Sequence, residues 1–114
     1  MEDFKAIYEA AHLAGMEAAA TCDQQMVRAE NVFTGEVSEA FPICGFAWIK
    51  FKGNTAWARW TKKAGLASKD YGGGYSIWVS MFGQSYDKKR AYAQAFSKVL
   101  EEHGIWSYAG SRLD

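Results

Sequence analysis

Apolar residues recur at helical spacing from the start of the chain. Phe4, Ile7, Tyr8, Ala11, Ala14 and Ala18 form one stripe, so residues 2–20 are predicted to be an amphipathic helix. Glu2 and Asp3 fall in its first turn, where the helix dipole favours acids. Met26 to Glu30 reads as a short strand, and residues 31–42, with Asn31, Gly35, Ser38 and the only proline, Pro42, as a loop or irregular hairpin. Ile43 to Lys52 is the clearest strand. Its first part is apolar on both faces, as in a central strand, and its end alternates, with Ile49 and Phe51 opposite Lys50 and Lys52. Gly53-Asn54-Thr55 supplies a turn and an N-cap for a helix over 55–64, which places Trp57, Trp60 and Ala64 on one side and closes at Gly65. A loop over 68–74 ends in three glycines. Tyr75 to Phe82 then alternates Tyr75, Ile77, Val79 and Met81 against Ser76, Trp78, Ser80 and Phe82, as a strand does. Gly83-Gln84-Ser85 breaks the strand. A helix over 86–103 turns Tyr92, Ala95, Phe96, Val99 and Leu100 inward, Gly104 closes it, and Ile105 to Ala109 forms a last strand.

The resulting order, α-β-β-α-β-α-β, predicts a single α+β (or small α/β) domain over residues 1–114: a mixed sheet of about four strands packed with three helices. The segments 43–82 and 75–109 each read strand–helix–strand, as crossovers do. Strand direction is not legible from the pattern, and a ferredoxin-like variant with an added N-terminal helix stays open.

Composition supports one core: of 114 residues, 49% are hydrophobic and 16% aromatic, and the net charge is zero, which argues against disorder. No apolar run is long enough to span a membrane, and the charged first helix does not fit an export signal, so the expected setting is the cytosol with no membrane partner. Cys22 and Cys44 lack metal or redox spacing and are expected to be reduced, buried thiols.

The zero net charge hides a split. Residues 1–49 carry eight acids and two bases, a balance of −6, whereas residues 50–98 carry ten bases and two acids, a balance of +8. Such a split points to an anionic partner, unless the two halves pack so that their charges alternate. The bases concentrate where strands hand over to helices: Lys50 and Lys52 at the first, Lys88, Lys89 and Arg90 beside Gln84 and Ser85 at the second. Cations in a first helical turn oppose the dipole, yet with free amides they would make an anion site. If the strands over 43–52 and 75–82 were parallel neighbours, both handovers would share the ligand edge of the sheet. A solvated basic helix face is the competing explanation. Trp78 joins the candidate site because it shares a strand face with Ser76 and Ser80. Trp106 and Tyr108 share a face of the last strand, and such faces either stack a base or pack under a helix, packing being the expectation. The candidate ligand-binding residues are therefore Lys50, Lys52, Gln84, Ser85, Lys88, Lys89, Arg90 and Trp78.

Other chemistry finds little support. Gly72-Gly73-Gly74 leads into a strand rather than a helix, so it reads as a turn and not a phosphate loop. His12 and His103 have no cysteine or acid at ligand spacing, and Ser85, His103 and Asp87 lack a nucleophile-elbow context. No catalytic residue, metal or cofactor is expected.

Several stretches, among them Gly45-Phe46-Ala47-Trp48, Ala58-Arg59-Trp60-Thr61-Lys62-Lys63, Gly73-Gly74-Tyr75-Ser76-Ile77-Trp78-Val79-Ser80 and the ending Tyr108-Ala109-Gly110-Ser111-Arg112-Leu113-Asp114, resemble a group of small proteins of tailed bacteriophages and prophages. The resemblance covers most of the chain and is weakest over 22–42. It implies a phage setting in the bacterial cytosol and transfers no activity or functional residue. The expectation is a non-enzymatic accessory protein that captures an anionic partner, a nucleotide-like ligand or nucleic acid, with counter-defence as a setting. The alternative is a protein-binding inhibitor of a host factor with no small ligand; a small enzyme ranks last.

Overall fold

The computed structural model describes residues 3–23, 26–28, 30–38, 41–70, 72–83 and 85–114. Helix α1 spans Phe4–Thr21 and starts at Asp3, whose carboxylate accepts from the Ala6 N–H at 3.1 Å and so caps the helix instead of sitting inside its first turn. Its buried positions are Ile7, Ala11, Gly15 and Ala19, one every fourth residue. Three of the four are small, which lets a later helix lie close: a Cβ on Gly15 would collide with the Tyr92 ring.

Strands β1 (Met26–Val27) and β2 (Phe41–Pro42) pair antiparallel, and a further bridge joins Glu30 to Val37. The stretch read as a loop or irregular hairpin is thus a short ribbon. Next come β3 (Gly45–Phe51), α2 (Ala56–Lys63), β4 (Ser68–Lys69), β5 (Tyr75–Trp78), α3 (Tyr86–Glu102) and β6 (Ser107–Leu113). The N-caps Thr55 and Ser85 accept from the N–H groups of Ala58 and Lys88. Gly65 and Gly104, both at φ +75°, end α2 and α3 in the left-handed region that glycine tolerates.

The main sheet has the order β4-β5-β3-β6, and every neighbouring pair is antiparallel. The α+β class therefore holds, but the sheet is not mixed. The reason is β4, two residues that the pattern hides in a loop. Helix α2 carries the chain from β3 to β4, which runs parallel to β3 two places away; the tight turn after β4 then sends β5 back between them, antiparallel to β3. Helix α3 likewise connects β5 to β6 across β3. From β3 onward this is the split β-α-β arrangement of ferredoxin-like folds, preceded by α1 and the ribbon.

The helices cover one face of the sheet. There Ala47, Ile49, Phe51 and Ile77 meet Tyr92, Ala93, Phe96 and Leu100, with Trp57 edge-on to Phe51 at 5.9 Å. Phe96, expected inward, is fully buried. Cys22 and Cys44 are free thiols but only half-buried, because both lie at element ends rather than within the helix-covered layer. Among the described residues no helix is long and apolar enough to cross a membrane.

Candidate functional site

The uncovered face of the sheet carries the most unusual chemistry. Burial alternates along β3: Gly45, Ala47, Ile49 and Phe51 are buried, while Phe46, Trp48 and Lys50 point the other way. Cross-strand partners share a face. The register sets Trp48 between Trp78 and Gly110, Lys50 between Ser76 and Tyr108, and Phe46 beside Arg112. Trp48 and Trp78 lie with centroids 4.9 Å apart and planes tilted by 35°. Gly110 permits this: a Cβ there would strike the Trp48 indole, so glycine lets the ring lie across β6. Further along, Trp106 meets Tyr108 edge-on at 5.8 Å. Trp78, Trp106 and Tyr108 remain 47%, 53% and 44% exposed. The expectation that Trp106 and Tyr108 pack under a helix fails: both stay about half exposed, Tyr108 on the open face and Trp106 at the sheet's end, where it also borders a hollow with Phe4 of α1 and Trp57 of α2.

Cations flank this row of rings. Lys50, Lys69 and Arg112 border an open cavity of about 500 Å³ floored by Trp48, Ser76 and Tyr108. Lys50 and Tyr108 also border an adjoining hollow of about 520 Å³ that reaches Lys52, Trp106 and the glycine turn. The two concavities form one groove across the sheet. Lys52 Nζ stands 5.5 Å from the Trp106 ring centre, and the Arg112 guanidinium 5.3 Å from that of Phe46.

One carboxylate sets the groove's edge. Asp70 accepts from the Gly72 N–H at 2.9 Å and pairs with Lys50 at 3.5 Å, while its own N–H donates to the Gly74 carbonyl at 3.0 Å. Its pKa is held below the ordinary carboxylate range, chiefly by the Gly72 N–H; partial burial opposes this, and the Lys50 charge and the nearby Ser76 hydroxyl add to it. The Ser76 oxygen is buried and, among the described residues, has no hydrogen-bond partner of good geometry, so its effect on Asp70 is a weak, longer-range one. Asp70 thus shapes the β4–β5 turn and orients Lys50 over the groove.

The structure divides the eight residues singled out from the sequence. Lys50, Lys52 and Trp78 share the open face. Because β3 and β5 are antiparallel, the second handover lies at the other end of β3, where Cys44 bridges Ser85 and the Tyr86 N–H donates to the Ile43 carbonyl. Seven strand residues, about 20 Å, separate the two ends. Ser85 is 3% exposed and serves as the cap of α3. Lys88 Nζ donates to the Ala19 carbonyl at 3.1 Å, tying α3 to the end of α1. Lys89 is 7% exposed; its Nζ donates to the Gly45 carbonyl at 3.3 Å and stands 5.6 Å from the Phe46 ring centre. Arg90 is exposed on α3, and Gln84 lies outside the described residues. The groove residues not singled out are Trp48, Lys69, Trp106, Tyr108 and Arg112. Trp48, Trp106 and Tyr108 carried a usable signal, aromatic side chains at alternate strand positions, whereas Lys69 fell in a stretch that reads as a loop. Arg112 lay beyond the predicted end of the last strand.

The histidines do other work. His12 Nδ1 is 2.6 Å from the Tyr92 hydroxyl, and its ring stacks on Tyr8. Burial raises the pKa of Tyr92, with a smaller contribution from Tyr8, so the phenol stays protonated. His103 caps α3 at its C-terminal end. Among the described residues no cluster of three His, Cys, Asp or Glu side chains could hold a metal ion.

No protein-family model matches the chain, and neither a curated protein nor a solved structure matches it significantly.

Proposed function

We propose that the protein captures single-stranded nucleic acid on the open face of its sheet, as an accessory factor without catalytic chemistry of its own. The observation that carries this reading is the row of exposed rings, Trp78, Tyr108 and Trp106, set among Lys50, Lys52, Lys69 and Arg112. Unpaired bases offer flat faces to aromatic rings, and the phosphates between them need cations at similar intervals. A duplex hides its base faces and fits this surface poorly. Two open hollows that share Lys50 and Tyr108 suit an extended strand better than an enclosed nucleotide. The basic balance of residues 50–98 favours the same ligand.

The test is a fluorescence titration with a short oligothymidine. Stacking on Trp78 and Trp106 should quench emission. The affinity should fall as salt rises, with a log–log slope of about −0.7 per phosphate contacted. A blunt duplex of equal length should bind more weakly. Absence of quenching at low salt, or equal binding of duplex, would overturn the reading.

A further inference from the structure

The ribbon of β1 and β2 stands apart from the main sheet; among the described residues its strands pair only with each other. Its outer end is nevertheless a built turn. Asn31 Oδ1 accepts from the Phe33 N–H at 2.9 Å and the Thr34 N–H at 3.4 Å. The Gly35 N–H donates to the Asn31 carbonyl and the Asn31 N–H to the Glu36 carbonyl, each at 2.8 Å. This turn holds Val32 and Phe33 at the tip, 84% and 95% exposed. The molecule measures 62 × 29 × 19 Å. Its longest helix accounts for about 27 Å, less than half of the longest dimension.

A two-stranded ribbon is marginal alone in water, and large apolar side chains displayed at its tip mark a contact surface. Charge narrows the choice of partner. Asp23, Glu30 and Glu36 make the described ribbon acidic against Arg28 alone. Its complement is present on the same molecule: a concave, aromatic-floored groove with four cations and one carboxylate.

We infer that the ribbon of one copy docks on the open sheet face of a second copy, reciprocally. Val32 and Phe33 would lie against Trp48 and Trp78, with Glu30 and Glu36 toward Lys69 and Arg112. Reciprocal docking uses the same two patches twice and closes as a dimer instead of growing into a filament. Self-association and nucleic acid then compete for one face. That competition rests on the nucleic-acid reading above; the docking itself does not.

Sedimentation velocity on the full chain tests this. At micromolar concentrations and low salt the protein should sediment as a dimer. Phe33→Asp, at an exposed tip where folding is not at stake, and Trp78→Ala should each give monomers, and saturating oligothymidine should convert the dimer to monomeric complexes. A wild-type monomer under these conditions overturns the proposal. So does a dimer that survives both substitutions, whereas one that binds oligonucleotide without dissociating overturns the shared use of the face. The Phe33→Asp monomer keeps its sheet face intact. If it fails to bind oligothymidine, the nucleic-acid reading falls, while loss of the dimer on this substitution still supports the docking.

Discussion

On its helix side the sheet presents Ala47, Ile49, Phe51 and Ile77, none more than 8% exposed, against Phe96 and Leu100. On its other side the same strands present Phe46, Trp48, Lys50 and Trp78, with Tyr108 and Arg112 beside them. Both faces are rich in rings. What differs is the company they keep: aliphatic side chains and helices on one, lysines, an arginine and open space on the other. Aromatic content marks a core only where something apolar covers it. Where cations alternate with the rings instead, the surface is suited to a ligand that is itself part flat and part charged.

The largest effect should come from the covered face. Phe96 is fully buried, so Phe96→Ala should cost about 3–5 kcal/mol in urea unfolding. A loss below about 1 kcal/mol would mean that this face is not the core, and the contrast with the other would collapse.

Next comes the α3 end, where the cations are structural. Lys89→Glu would set a carboxylate beside the Gly45 carbonyl in a buried position. It should destabilise the fold by more than about 2 kcal/mol, because the Gly45 carbonyl loses its donor and the new buried carboxylate meets a like partial charge. A solvated basic helix would tolerate the same change almost without cost, so the measurement separates the two.

Trp78→Ala removes a half-exposed ring. Stability should change little, whereas oligonucleotide affinity should fall by about 1–3 kcal/mol, the usual worth of one stacked base. If stability falls and binding does not, the ring packs rather than stacks. Lys52→Ala is a finer probe: affinity should drop for all sequences alike, and the salt slope should shrink by about one phosphate contact.

The smallest effect is in pH. Asp70 has a depressed pKa, so its contribution to the glycine turn is present at neutral pH and is lost only as pH falls through that depressed value, below the ordinary carboxylate range. Protection of the Gly72 N–H against exchange, relative to its intrinsic rate at each pH, should fall there. Asp70→Asn should abolish that pH dependence and, by leaving Lys50 unpaired, modestly strengthen oligonucleotide binding at neutral pH.

Much of the fold was legible along the chain. Helix spacing around Phe96, the Thr55 and Ser85 caps, the stops at Gly65 and Gly104 and the alternation over Tyr75–Trp78 depend on neighbours a few residues away, and local chemistry settles them. So do the clustering of bases in the second half and the placing of Lys50 on one strand face. Two things were beyond local reading. Strand direction turned on the two residues of β4, whose pairing with Tyr75 and Ser76 exists only once the turn at Asp70 has closed. The fate of each cation was the other: Lys50 and Lys89 look alike in sequence, but one reaches a groove and the other a buried carbonyl. A long flexible side chain takes its role from what surrounds its end. That is set by the packing of α1, α3 and β3, elements far apart in the chain, and so only the tertiary structure decides it.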